Sequence, residues 1–150
     1  MNVVMSIEDY IEEKNIKSPY LKYAKSVYCM GGGDGIMEKF LSELGVDGGV
    51  FVEFGALDGI TYSTTYNVWK NNPNFKAILI ESDVKRANEM LSLMQHLDNV
   101  ECMNCFVSPQ PGDEYSLDSL LDQSDFGVTN DNLIAISIDV DSCDYDIFKV

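Results

Sequence analysis

Val50-Phe51-Val52-Glu53-Phe54-Gly55-Ala56-Leu57-Asp58-Gly59 is an apolar run that meets an acid and then two spaced glycines. The β-branched and aromatic residues Val50 to Phe54 suit a strand buried on both faces. Gly55 and Gly59 lack the Cβ atoms that would keep a ligand away from the backbone. Together they read as a strand entering a nucleotide-binding turn. The spacing departs from Gly-x-Gly-x-x-Gly, whose close glycines bring a pyrophosphate to a helix N-terminus. Asp58 in the turn repels a diphosphate and accepts hydrogen bonds from a cationic or hydroxyl-bearing ligand, which favours S-adenosyl-L-methionine over NAD. An ordinary tight turn between strand and helix is the competing reading of the same residues.

Downstream, strand and helix patterns alternate, as in a parallel sheet with right-handed crossovers. Ser63 is placed to cap a helix from Thr64 to Asn71 that carries Tyr66 and Trp69 and ends at Asn72-Pro73. Lys76 to Ile80 reads as the second strand and delivers Glu81 at its carboxyl end, one strand–helix–strand unit after Glu53. A carboxylate there can accept both ribose hydroxyls; its plainer reading is a solvated acid at a strand end. Val84 to Leu97 has the stripe Ala87, Met90, Leu91, Met94 of a helix, and Val100 to Val107 reads as a third strand. His96 near that helix's end reads as solvated or held by the helix dipole. Leu117 to Leu121 suggests a short helix. Leu133 to Ile138 is a fourth, fully apolar strand that ends in Asp139-Val140-Asp141, whose two acids point the same way at a carboxyl strand end.

Upstream, Ser6 with Ile7, Tyr10, Ile11 and Ile16 has the pattern of a capped amphipathic helix, a lid or packing element. After Ser18-Pro19, helical spacing resumes in Tyr20, Leu21, Tyr23, Ala24, Val27 and Tyr28. Gly31-Gly32-Gly33-Asp34-Gly35 follows no strand and precedes no Gly-Lys-Ser/Thr, so it reads as a flexible connector with Asp34 as N-cap. The helix through Ile36, Met37, Phe40, Leu41 and Leu44 then stops at Gly45. The chain thus divides into an N-terminal helical segment, 1–48, and a ligand-binding domain, 49–150.

The 150 residues, 45% of them hydrophobic, are enough for one domain with a core. A formal charge of −15, from 25 acids against 10 Lys and Arg, argues against nucleic acid and anionic membrane partners. No stretch approaches the roughly 20 apolar residues of a membrane span, and no basic region with an apolar core opens the chain, so a cytoplasmic protein is expected. The four cysteines, Cys29, Cys102, Cys105 and Cys143, are then free thiols. Cys102 and Cys105, three apart on a strand, point to opposite faces and do not easily share a metal.

Four motifs in order carry a family resemblance: Glu53 to Gly59, Ser63-Thr64-Thr65, Ile78-Leu79-Ile80-Glu81, and Ser137-Ile138-Asp139-Val140-Asp141. They resemble FkbM-type S-adenosylmethionine-dependent methyltransferases over residues 28 to 150, departing at Thr64, where the family favours Asn, and at Ser142, where it favours Gly. The resemblance implies an α/β Rossmann-like methyltransferase sheet in three layers, with parallel strands in the order 3-2-1-4. It implies O-methylation of a sugar or other small-molecule hydroxyl, with the glycine turn around the methionine part of the cofactor and Glu81 on its ribose. The cofactor-contacting positions would be Glu53, Gly55, Ala56, Asp58, Gly59, Ser63, Glu81, Ser82 and Phe106.

Methyl transfer needs an acceptor oxygen aimed at the sulfonium methyl and a base or metal to take its proton. Asp139 and Asp141 are the candidates, as general base or as ligands of Mg or Mn, while N-capping of the next helix is their structural alternative. The family's later strands do not follow the fourth in this sequence. An apolar edge strand is then expected, covered by a homodimer contact or a partner chain. A noncatalytic S-adenosyl-ligand-binding or assembly module is the second reading, and a nicotinamide oxidoreductase the third.

Overall fold

β1 (Gly49–Phe54) is the axis of the molecule, and its residues alternate between two buried faces. β2 (Phe75–Glu81) and β4 (Leu133–Ile138) flank it, and β3 (Val100–Asn104) lies outside β2. All pairings are parallel, in the order β3-β2-β1-β4. The register sets Val52 between Ile78 and Ile136, and Phe54 between Ile80 and Ile138. The computed structural model describes residues 17–140 and 144–149. The expected helix from Ser6, with Asp141, Ser142 and Cys143, lies outside them.

Helices cover both faces of the sheet, which is why β1 and β2 are mainly apolar, Glu53, Lys76 and Glu81 excepted, rather than alternating with polar residues. On one face Phe51, Phe75, Ala77 and Leu79 pack with Leu41 of α1 (Gly33–Leu44), Trp69 of α2 (Tyr66–Trp69), and Met90 and Met94 of α3 (Val84–Met94). On the other, Val50, Val52, Phe54, Ile78 and Ile80 meet Leu117 and Leu120 of α4 (Leu117–Gln123) and Ile147 of α5 (Asp144–Phe148). Burying one such aliphatic or aromatic side chain contributes about 1.5–3 kcal/mol, so the two clusters hold the layers together. The result is a three-layer α/β arrangement with the expected strand order.

Local boundaries differ from the periodicity where polar side chains compete for backbone N–H groups. Tyr20 to Tyr28 does not continue as a helix and makes only a 3-10 turn at Leu21–Tyr23. One oxygen of Asp34 takes the N–H groups of Val27, Tyr28 and Cys29 at 2.7, 2.9 and 2.9 Å, so those amides turn away from helical partners. Asp34 therefore does not cap α1 as expected. Gly32 occupies that position with φ +82°, and Asp34, 1% exposed, reaches backwards from the first turn. The glycine cluster belongs to a hydrogen-bonded strap, with Lys25 N–H on Gly32 O and Gly35 N–H on Lys25 O, rather than to a loose connector.

α2 is shorter than the expected 64–71 because the residues before it are drawn to Glu53. α3 closes at Met94, before Leu97, and β3 closes at Asn104, whose side-chain amide turns to the Glu81 carbonyl at 2.7 Å. α4 runs on past Leu121 to Gln123. Gly45 ends α1 with φ +66°, as read, and Asp83 caps α3 by accepting the Arg86 N–H. β4 is an edge strand whose six residues are all half-buried, with no strand beyond it among the described residues. Among the described residues no helix is long and apolar enough to cross a membrane.

Candidate functional site

The carboxyl ends of β1, β2 and β4, the loop after β3 and the strap before α1 enclose a cleft of about 600 Å³. This is the end of an open parallel sheet at which ligands bind, and β1 and β4 flank the point where the strand order reverses. The cleft is within the size range of small-molecule sites.

Its floor begins with Glu53, which is buried although it sits in the central strand among apolar residues. An unpaired buried carboxylate costs several kcal/mol, so the charge demands donors. The segment after the turn supplies three: Ser63 Oγ and Thr65 Oγ1 donate to Oε2 at 2.8 and 2.6 Å, and the Thr64 N–H donates to Oε1 at 2.8 Å. Thr65 Oγ1 in turn accepts the Trp69 indole N–H at 2.9 Å, and Ser63 Oγ accepts the N–H of Tyr66 at 3.0 Å. Glu53 thus moulds the Ser63-Thr64-Thr65 wall and anchors it to the core through Trp69. Most of its lone pairs are already committed.

Glu81, also buried, ties two loops together. Its Oε2 accepts the Leu57 N–H and its Oε1 the Asp83 N–H, each at 2.8 Å. Leu57 has φ +52°, a left-handed conformation costing a non-glycine residue about 1–2 kcal/mol. A hydrogen bond to a charged group contributes about 1.5–3 kcal/mol, enough to hold Leu57 there. Tyr62, at φ +62°, is the other non-glycine residue with positive φ among the described residues. Both line the cleft. Such strain collects at functional sites.

The turn residues divide by role. Gly55, at φ +68°, lets the β1 end pass against the Asp139 carbonyl where a Cβ would collide. Ala56 is buried beneath the cleft wall and donates its N–H to Ile80 O at 3.2 Å. Gly59, at φ +81°, faces Met94, Leu79 and Met90 and does not line the cleft. Asp58 does not line it either: its carboxylate takes the N–H groups of Ile60 and Thr61 and the Thr61 hydroxyl. Burial works against charge on Asp58, but these bonds prevail and hold its pKa below the usual carboxylate value. The structure therefore brings Glu53, Gly55, Ala56, Ser63, Glu81, Ser82, Phe106 and Asp139 to one cleft, with Asp58 and Gly59 behind it. Asp141 lies outside the described residues. Asp139 is solvent-exposed at the end of β4.

Several lining residues carry no sequence signal for the site. The strap contributes Cys29, Met30 and Gly33, and Met30 is 72% exposed at the mouth. It is fastened beside the wall by Tyr28, whose ring meets Tyr66 edge-on at 4.7 Å and whose hydroxyl accepts a hydrogen bond from Lys70 at 2.7 Å. Arg86 and Asp83, from the start of α3, were also missed; their position one turn past Glu81 was the available clue. The cleft is acidic, with Glu53, Glu81, Asp83 and Asp139 against the single cation Arg86 among its described lining residues.

Burial raises the Cys29 thiol to about 11, with the Asp34 carboxylate adding to the effect, so Cys29 lines the cleft as a neutral group. Cys102, in β3, packs with one face of the sheet, and Cys105, just past its end, with the other. His96 is exposed and away from the cleft. Among the described residues no three His, Cys, Asp or Glu side chains converge as a metal site, so Asp139 has no described partners for a divalent cation.

No protein-family model matches the chain, and no curated protein matches it.

Proposed function

We propose that the cleft binds S-adenosyl-L-methionine and that the protein is a methyltransferase acting on the hydroxyl oxygen of a sugar or other small molecule, within a Rossmann-like methyltransferase domain. The observation that carries this reading is Glu81, a buried carboxylate at the end of β2 that holds the glycine turn through Leu57 while lining the same cleft. Each of its oxygens keeps a lone pair after accepting one backbone N–H, so a ribose diol can still be received there.

Charge supports the choice of cofactor. Four carboxylates against one guanidinium favour a sulfonium and neutral hydroxyls, and disfavour the diphosphate of a dinucleotide. The bound cofactor would supply the electrophilic methyl group. The protein's own part is placement: the Glu53 network fixes the wall, Gly55 allows close approach, and Asp139 is the described group placed to take the acceptor's proton.

The test is the thermal midpoint with S-adenosylhomocysteine, with NADH as control. A ligand at about 100 times its Kd adds roughly 2.7 kcal/mol, a shift of several degrees for this size. A selective shift is expected, and none would remove the proposal. Transfer of a labelled methyl group to hydroxylated acceptors then tests chemistry, and full transfer by Asp139→Asn would remove Asp139 from it. The half-buried edge of β4 favours a second reading, a noncatalytic S-adenosyl-ligand or assembly module, which gives the same thermal shift and no transfer.

A further inference from the structure

Arg86 is the only cation among the described residues that line the cleft, yet its guanidinium forms no salt bridge among the described residues. Its backbone is fixed, since its N–H donates to the Asp83 carboxylate at 2.9 Å and places it in the first turn of α3. Phe106 comes from the loop after β3. It is 57% exposed and lines the cleft, with its ring available to a ligand face. The loop that carries it is pinned to the β2 end, because the Asn104 side-chain amide donates to the carbonyls of Glu81 at 2.7 Å and Ser82 at 3.3 Å. Phe106 and Arg86 thus both line the cleft with Glu81, each carried by a segment tied to the end of β2.

We infer that Arg86 and Phe106 form a slot for a purine base, with the guanidinium plane of Arg86 stacked on the base and setting the site's preference for an adenosyl group. The inference rests on the adenosyl reading of the cleft and adds a residue and a mode of recognition to it. Two features favour a flat, neutral, electron-rich group over an anion as the partner of Arg86. Glu81 and Asp83 line the same cleft, and like charge brought among them by a phosphate or carboxylate is penalised. A guanidinium, planar and weakly hydrated, stacks on aromatic faces where an ammonium does not match the plane.

The experiment is calorimetric titration of the full chain and of Arg86→Ala, Arg86→Lys and Phe106→Ala with two probes, S-adenosylhomocysteine and adenosine. The side chain of Arg86 is exposed and its backbone hydrogen bond survives either change, and circular dichroism checks that each variant is folded. Arg86→Ala is expected to weaken both probes alike, by about fivefold to tenfold, because the base is what they share. Arg86→Lys is expected to lose most of the same factor, and Phe106→Ala at least as much. Unchanged affinity in Arg86→Ala overturns the inference, and so does full affinity in Arg86→Lys, which would show that charge alone matters. Weakening confined to S-adenosylhomocysteine overturns it too, since Arg86 would then serve the amino-acid carboxylate. If the unaltered protein binds neither probe, the adenosyl reading itself fails; the other adverse outcomes leave that reading standing.

Discussion

Gly55 and Asp139 cross so closely that a Cβ on Gly55 would fall within the van der Waals shell of the Asp139 carbonyl oxygen. The contact joins the carboxyl ends of β1 and β4, whose last paired residues are Phe54 and Ile138. The glycine is required twice over, by this approach and by its φ of +68°.

Gly55→Ala is therefore expected to lose about 2–5 kcal/mol, the sum of a left-handed alanine and a rigid backbone clash. Urea denaturation measures it. Gly59→Ala carries the same left-handed cost but meets side-chain atoms of Met94, Leu79 and Met90, at 2.8, 3.0 and 3.4 Å, rather than backbone, and is expected to lose less because those side chains can move. Equal losses would mean that the strand crossing is softer than its geometry indicates.

Thr65→Val keeps shape and removes the hydroxyl that links Glu53 to Trp69. It leaves a buried indole N–H without its acceptor and Glu53 short of a donor, at an expected cost of about 2–4 kcal/mol. Trp69 is the only tryptophan, so its emission reports both the change and the unfolding curve. A neutral substitution would show that the network is dispensable.

Glu81→Gln replaces one oxygen with an amide that cannot accept from Leu57 or Asp83. Stability is expected to fall by about 1–3 kcal/mol, as one loop amide loses its acceptor. If the cleft takes an adenosyl group, the affinity for S-adenosylhomocysteine falls at least about tenfold as well, since the ribose loses a charged acceptor. Calorimetry on the folded variant separates the two effects.

The pH dependence has an acid and an alkaline limb. Burial opposes charge on Asp34, but the N–H groups of Val27, Tyr28 and Cys29 win and lower its pKa, and Asp58 is lowered similarly by its bonds from Thr61 and Ile60. A depressed folded-state pKa stabilises above the unfolded value, about 3.9 for Asp, and that stability is lost as pH falls through the folded value. Cys29, raised to about 11 mainly by burial, has the opposite sign: its contribution is present below the unfolded thiol value and is lost as pH rises toward the folded one. The urea midpoint should accordingly fall below about pH 4 and again above about pH 9. Asp34→Asn should flatten the acid limb, and at pH 8 Cys29 should resist thiol reagents until the chain unfolds.

The parallel sheet was legible because β1 and β2 are apolar on both faces and alternate with helical stripes such as Ala87, Met90 and Met94. The boundaries set by Glu53 and Asp34 were not. Each carboxylate takes backbone N–H groups from a different segment, and periodicity does not register which amides a buried acid will capture. The site divides in the same way. Gly55 and Glu81 stood out by type and spacing, and Glu53 and Ser63 only through the family resemblance, while the places of Met30 and Arg86 depended on tertiary packing and Asp58 turned away through bonds to Ile60 and Thr61.

By itself the sequence determined the strand–helix alternation and which carboxyl strand ends carry acids, because burial and residue type act over a few neighbours; the strand order came only as what the family resemblance implies, and the pairing of distant strands decides it. Only the tertiary structure decided which of those acids are committed. Glu53 gives three acceptor positions to the wall it builds, Asp58 closes its own turn, and Glu81 latches Leu57 while still lining the cleft. The reason is physical: a carboxylate's role depends on which donors the folded chain brings within hydrogen-bonding distance, and while Asp58 finds them two and three residues on, Glu53 takes them from 10 to 12 residues away and Glu81 takes the Leu57 N–H from 24.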